Sequence, residues 1–230
     1  DHGRILAQKS VDITECKTHE EIGATVLQVE HFLYPRTIAA LLDKHPLRVA
    51  INTLGCKTNF YESAAIFESF HQATLVDFGC PADVYVINTC SVTNRSDYKS
   101  RNLIRKALAA KDQNPLTKVI VTGCFAQRSR DEIMALGDVD YVVDNQSKLD
   151  IANLLSGTEL PWQDIMLAED FVYRPVTNML SHTRAFQKIQ DGCDFYCAYC
   201  AVPYGRGHSR SARFTEVVEQ ARLFTEAGFK

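Results

Sequence analysis

Three cysteines at intervals of four and three residues, Cys193, Cys197 and Cys200, are the sharpest chemical feature of the sequence. They lie within Gly192-Cys193-Asp194-Phe195-Tyr196-Cys197-Ala198-Tyr199-Cys200. Three thiolates so spaced can wrap one face of a cubic iron-sulfur cluster, and the missing fourth ligand leaves one iron open to an outside group. Zinc would favour two ligand pairs or a histidine within reach, and His208 is poorly spaced for that role. An electron-carrying module would normally supply four protein ligands to its cluster, so the triplet speaks against that alternative.

A second set is spread out. Cys56, Cys90 and Cys124 recur at equal intervals of 34 residues, in Thr53-Leu54-Gly55-Cys56, Ile87-Asn88-Thr89-Cys90 and Val121-Thr122-Gly123-Cys124. Each stands just past the carboxyl end of a segment that reads as a β-strand. In a parallel sheet those ends share one edge, where ligand sites form, so three thiols distant in sequence can converge on a second three-thiolate site. Taken singly, each would be an inert core cysteine. Cys16 and Cys80 have no such placement and read as structural.

The elements that must position these thiols follow from the period of the apolar residues. Arg48 to Leu54, Val84 to Thr89, Lys118 to Thr122 and Tyr141 to Val143 read as strands. Asn59 to Phe70, with Asn59 capping and Glu62 three residues on, Ser91 to Lys111, Arg130 to Leu136 and Ser147 to Leu155 read as helices. Alternating strands and helices predict an α/β fold with a parallel sheet. Residues 157–183 form a connector. Residues 184–230 predict a strand, Ala185 to Gln190, the cysteine loop and a helix from Thr215, the opening βα unit of something larger. Residues 1–46 predict a strand at Ile5 to Ala7, an extended piece at Val11 to Ile13, and a helix boxed by Thr18 and Glu21 that Pro35 interrupts. The domains are then 1–46, 47–156, 157–183 and 184–230, and the chain reads as a fragment.

Hydrophobic residues make up 46% and charged residues 23% of the 230, enough to bury a core. There is no uncharged apolar run long enough for a membrane span, and Asp1-His2-Gly3-Arg4 does not open a secretory signal. A soluble cytoplasmic protein is expected, where eight cysteines point to metal binding or catalysis rather than disulfides. The net charge of -3 hides local basic runs. Residues 91–118 carry seven Lys or Arg against two Asp, among them Arg95, Lys99, Arg101, Arg105 and Lys106, and residues 184–213 carry five against two acids, including Arg206 and Arg210. Such clusters suit phosphate contacts, and solvated helix faces produce the same pattern.

The Cys193, Cys197, Cys200 segment resembles the radical S-adenosylmethionine enzymes. The resemblance implies a 4Fe-4S cluster on those thiols whose open iron is chelated by S-adenosylmethionine, with Tyr199 near the adenine and a 5'-deoxyadenosyl radical as the reactive product. A closer likeness covers residues 47 to 230. Thr53 to Asn59, Tyr85 to Thr93, Thr122 to Arg128, and Gly192-Cys193 through Pro203-Tyr204-Gly205-Arg206-Gly207 resemble the methylthiotransferases. That likeness implies an auxiliary 4Fe-4S cluster on Cys56, Cys90 and Cys124 involved in sulfur delivery, a tRNA substrate, and a reducing system for both clusters. It also implies a catalytic barrel, followed by an RNA-binding module, of which only the first unit falls in this chain. Leu54 to Asn59, Tyr61-Glu62-Ser63 and Phe186 to Cys193 look most like the subgroup acting on N6-threonylcarbamoyladenosine. The isopentenyladenosine and ribosomal-protein aspartate subgroups are the alternatives. Residues 1–46, through Asp1, Gly3, Ala7-Gln8 and Glu30-His31-Phe32-Leu33-Tyr34-Pro35, resemble the tail of phosphoribosylglycinamide formyltransferase. This implies a fusion or remnant in which Asp1 matches one catalytic position and formyl transfer is not expected.

Overall fold

The computed structural model describes residues 7–42, 46–180 and 182–229. Asp1, Gly3 and the start of the expected strand at Ile5 lie outside them. Two compact units emerge, residues 1–46 and residues 47–230.

In the first unit, helix α1 spans His19–Leu42. The expected capping box is present: the Glu21 amide donates to Thr18 Oγ1 at 3.2 Å, and the Thr18 amide donates back to Glu21 Oε2 at 3.2 Å. Pro35 does not end the helix but lies inside it. The ring removes one N–H donor, yet its fixed φ is helical, so the chain can continue at the cost of one bond. Residues 11–13 form no strand.

The second unit opens with β1 (Leu47–Thr53), α2 (Lys57–Ser69), β2 (Ala73–Val76) and β3 (Val84–Thr89). It continues with α3 (Asn94–Gln113), β4 (Lys118–Gly123), α4 (Cys124–Arg128), α5 (Arg130–Met134) and β5 (Tyr141–Val142). The five strands are parallel, in the order β2-β1-β3-β4-β5. Strand β2 escaped sequence reading because four residues at an edge carry little periodic signal. The expected helix at Ser147 to Leu155 is a 3-10 helix, Lys148–Ser156.

Strand β3 is buried along its whole length, as a central parallel strand covered on both faces must be. On one face Val49, Val84, Val86 and Ile120 pack with Tyr61, Ala65 and Ile66 of α2. On the other, Ala50, Tyr85, Ile87, Val119 and Val121 meet Ile104 and Ala107 of α3. Alternation along each strand assigns neighbours to opposite faces. From β1 the chain passes to β2 on one side, and from β3 to β4 on the other. The winding direction therefore reverses between β1 and β3, the place where doubly wound sheets open a crevice at their carboxyl edge.

Beyond residue 156 the chain returns to this core. Val176, Met179 and Phe224 join the cluster that covers the α2 face of the sheet. The expected strand Ala185 to Gln190 shrinks to β6 (Gln190–Asp191), which pairs antiparallel with β7 (Arg210–Ser211) around α6 (Val202–Arg206), before α7 (Phe214–Glu226). No parallel βα unit occurs among the described residues of 184–230. Gln220 of α7 is drawn into the first core, where its amide exchanges hydrogen bonds with the Val176 backbone at 2.7 and 2.9 Å.

Candidate metal centre

Three of the five sheet strands lead, within three residues of their carboxyl ends, into a cysteine at the same edge. Cys56 occupies the N-cap position of α2, Cys90 follows β3 directly, and Cys124 begins α4 directly after β4. Register pairs Thr53 with Asn88 and Thr89 with Gly123, so the three strand ends are level. Cys56 is exposed, Cys124 half-buried and Cys90 buried.

Two glycines allow the thiol-bearing loops to approach. Gly55 has φ +100°, and a Cβ there would lie 2.7 Å from Cys90 Sγ. Gly123 has φ +95°, and a Cβ there would fall 2.3 Å from the Thr89 carbonyl oxygen. Both positions are left-handed and closed to any larger residue.

Beneath the thiols lies a polar lattice. Asn59 does not cap α2 as expected but sits inside its first turn, buried, because Cys56 takes the capping position. Its Nδ2 donates to the Leu54 carbonyl at 2.6 Å and the Thr89 carbonyl at 3.0 Å, tying the end of β1 to the end of β3. Asn88 Nδ2 donates to the Asn59 carbonyl and to Ser63 Oγ, both at 3.0 Å.

Asn59 Oδ1 in turn accepts from Arg206. The Arg206 guanidinium also grips both Glu62 oxygens at 2.8 and 2.9 Å and Asp191 Oδ1 at 2.7 Å. Lys148 donates to Glu62 and, at 2.8 Å, to Asn145 Oδ1. Lys188 bridges Glu62 at 2.8 Å and Asp191 at 2.6 Å. Arg210 lies 3.8 Å from Asp191 and donates to the Arg206 carbonyl at 2.8 Å. All six charged groups are buried. Burial pushes the Glu62 carboxyl up, but Arg206, Lys148 and Lys188 outweigh it and hold it well below the usual carboxylate range. Asp191 is lowered in the same way, burial being outweighed by Arg206 and Lys188. Burial drives Lys148 down, Glu62 opposes, and the neighbouring Arg206 and Lys188 add to the fall.

Arg206 and Arg210 are thus removed from the expected phosphate-binding set. Their guanidinium groups are consumed inside the protein and cannot reach a nucleic acid. On α3, Arg95, Lys99, Arg105 and Lys106 are exposed. Arg101 is half-buried, paired with Glu132 at 2.8 Å and stacked 5.7 Å over Phe125.

The network stands next to Cys124. A Cβ on Gly205 would meet Cys124 Cβ at 3.1 Å, and the Gly205 carbonyl accepts from Asn145. Desolvation at this edge pushes the Cys124 thiol up, while Arg206 and Lys148 pull it toward the thiolate.

The second triplet lies on one loop. The Cys193 amide donates to the Gly207 carbonyl at 3.1 Å, and the Cys200 amide to the Cys197 carbonyl at 2.9 Å. His208 is turned to Asp194, Nδ1 to Oδ1 3.0 Å, with Asp194 also accepting from the Ser209 amide. Tyr199 is 92% exposed. Among the described residues no three His, Cys, Asp or Glu side chains are closed up for a single metal ion. The cysteines are all free, so no disulfide competes for the thiols of either set.

The residues that sequence reading missed, Glu62, Lys148, Lys188, Asp191 and Asn145, are ordinary charged or polar residues in sequence. Glu62, Lys188 and Asp191 stood within stretches that carry the family resemblance, Tyr61-Glu62-Ser63 and Phe186 to Cys193, whereas Asn145 and Lys148 gave no signal in sequence.

Residues 48–144 match the family described as Uncharacterized protein family UPF0004. The threonylcarbamoyladenosine tRNA methylthiotransferase MtaB of Bacillus subtilis is 43% identical over 190 residues, 79% of this chain and 42% of the relative. The protein of the same name from Aquifex aeolicus is 36% identical over 192 residues, 80% of this chain and 46% of the relative. A tRNA-2-methylthio-N(6)-dimethylallyladenosine synthase of Cereibacter sphaeroides is 30% identical over 190 residues, 80% and 44% respectively. The chain therefore spans less than half the length of these curated relatives.

Proposed function

This chain carries the UPF0004 domain and is homologous to the methylthiotransferases, and from that premise we propose that it serves the C2 methylthiolation of N6-threonylcarbamoyladenosine in tRNA. In this reading Cys193, Cys197 and Cys200 hold a 4Fe-4S cluster that binds S-adenosylmethionine, with Tyr199 free to turn toward its adenine. Cys56, Cys90 and Cys124 hold the auxiliary cluster. Once bound, the two groups supply reductive cleavage of S-adenosylmethionine and a source of sulfur.

The observation that carries the reading is the convergence of three strand-end thiols at the carboxyl edge beside the topological switch, with the 192–207 segment lying against Cys124 through Gly205. The protein's own work there is positional. Gly55 and Gly123 let the loops close, Asn59 and Asn88 hold the strand ends level, and the buried ion network fixes the cysteine-bearing loop to the sheet. The exposed cations Arg95, Lys99, Arg105 and Lys106 offer tRNA a phosphate-binding face. No helix among the described residues is long and apolar enough to cross a membrane. The reading places the enzyme in the cytoplasm and includes a reducing system for both clusters.

Nucleoside analysis of tRNA from cells lacking and then regaining the complete gene tests the assignment. The expected result is loss and recovery of the 2-methylthio derivative of threonylcarbamoyladenosine. Recovery of the isopentenyl derivative, or no change in any nucleoside, overturns it.

A further inference from the structure

The ion network beside Cys124 does not balance. Four cations, Lys148, Lys188, Arg206 and Arg210, are linked by ion pairs to two carboxylates, Glu62 and Asp191. Asp144 is also buried nearby, its oxygens taken up by the amides of Gln146, Ser147 and Gln163. Even with Asp144 counted, one positive charge is left over. Arg210 Nε has no partner at all. An uncompensated buried charge is costly, and protein interiors normally pair theirs or hold them against a group of opposite sign. The network adjoins the thiol edge: Asn59 links Arg206 to the carbonyls at the ends of β1 and β3, and Asn145 links Lys148 to Gly205, which touches Cys124.

We infer that this buried cationic surplus is the built-in countercharge for the thiolate-ligated, negatively charged group held at Cys56, Cys90 and Cys124, and that Lys148 and Lys188 tune its reduction potential as positioning residues. The inference rests on the auxiliary-cluster reading. Fixed positive charge close to a cluster favours its more negative, reduced form, because net charge and solvent exposure set the potential of such centres. The lattice also explains why cations rather than apolar groups fill this part of the core: a purely apolar wall would leave the thiolates without an opposing charge.

The test uses this chain with Cys193, Cys197 and Cys200 replaced by Ala, reconstituted with iron and sulfide, so that a single centre is observed. Iron content and a spectroscopic redox titration are read together. Lys148→Met is expected to keep the iron and shift the midpoint potential to more negative values, and Lys188→Met to do the same should the first variant fold poorly. Lys111→Met is the control. Lys111 is another buried lysine, paired with Asp138 and Asp140, but Asp140 accepts from the Val119 amide at the opposite end of β4. It should lower stability and leave the potential where it was. An unchanged potential in loaded Lys148→Met and Lys188→Met overturns the inference, as does an equal shift in Lys111→Met. Failure of the parent to take up iron at all overturns the auxiliary-cluster reading itself, and the inference falls with it.

Discussion

Arg206 and Glu62 are 144 residues apart in sequence and meet in the core as a two-point pair, Nη1 on Oε1 at 2.9 Å and Nη2 on Oε2 at 2.8 Å. Planar matching of guanidinium and carboxylate gives such a pair direction as well as charge. It joins the helix after β1 to the segment after the Cys193–Cys200 loop, so the two thiol sets belong to one folded unit.

Glu62→Gln should cost about 3–5 kcal/mol in urea unfolding, since it strips the shared carboxylate from three buried cations. The pH dependence has a definite sign. Glu62 and Asp191 are held below their unfolded values of about 4, so their stabilisation is complete above that range and is lost as pH falls through the folded values. Unfolding free energy of the native chain should fall steadily below about pH 5. The Gln variant should lose less over the same window, and equal acid sensitivity would count against Glu62 as an ionised hub.

Two glycines with similar φ should respond differently to alanine. Gly123→Ala drives a Cβ into the Thr89 backbone and should cost more than about 3 kcal/mol, with loss of iron uptake at the strand-end thiols. Gly157, at φ +82° after a 3-10 helix, has open space around it, so Gly157→Ala should cost only about 1–2 kcal/mol. Comparable losses in the two variants would mean that crowding is not what holds the edge.

Replacing Cys193, Cys197 and Cys200 by Ala should leave one cluster's worth of iron on the reconstituted chain. Replacing Cys56, Cys90 and Cys124 should leave the other. Loss of all iron in either triple variant with an unchanged circular dichroism spectrum would point to one shared site.

Charge reversal at Arg95, Lys99, Arg105 and Lys106 should weaken tRNA binding and flatten its salt dependence, by about one unit of slope for each phosphate contact removed. Filter binding across a salt series reads both. An unchanged slope would return this face to a solvated helix surface.

Deleting residues 1–46 should leave iron uptake at Cys56, Cys90 and Cys124 intact, because the contacts described for that edge all fall in the unit from Leu47 onward. A deleted form that folds without taking up that iron would move the boundary.

The positions of the six cysteines were legible in sequence because they depend on local rules. A parallel βα pattern places every strand end on one edge, so three thiols just past apolar segments must share it whatever the details of packing. A C-x-x-x-C-x-x-C run places its thiols on a single loop by chain length alone. The fates of Arg206, Arg210 and Asn59 were not legible. A guanidinium is a surface group by default, and only the return of residues 184–213 onto the sheet, with Glu62 and Asp191 waiting, buries it. Likewise the side chain of Asn59 is a plausible helix cap until Cys56 takes that position and the neighbouring strand brings the Thr89 carbonyl within its reach. Spacing along the chain decided where the thiols stand, whereas the charges around them depend on partners brought together from distant segments, which only the tertiary structure supplies.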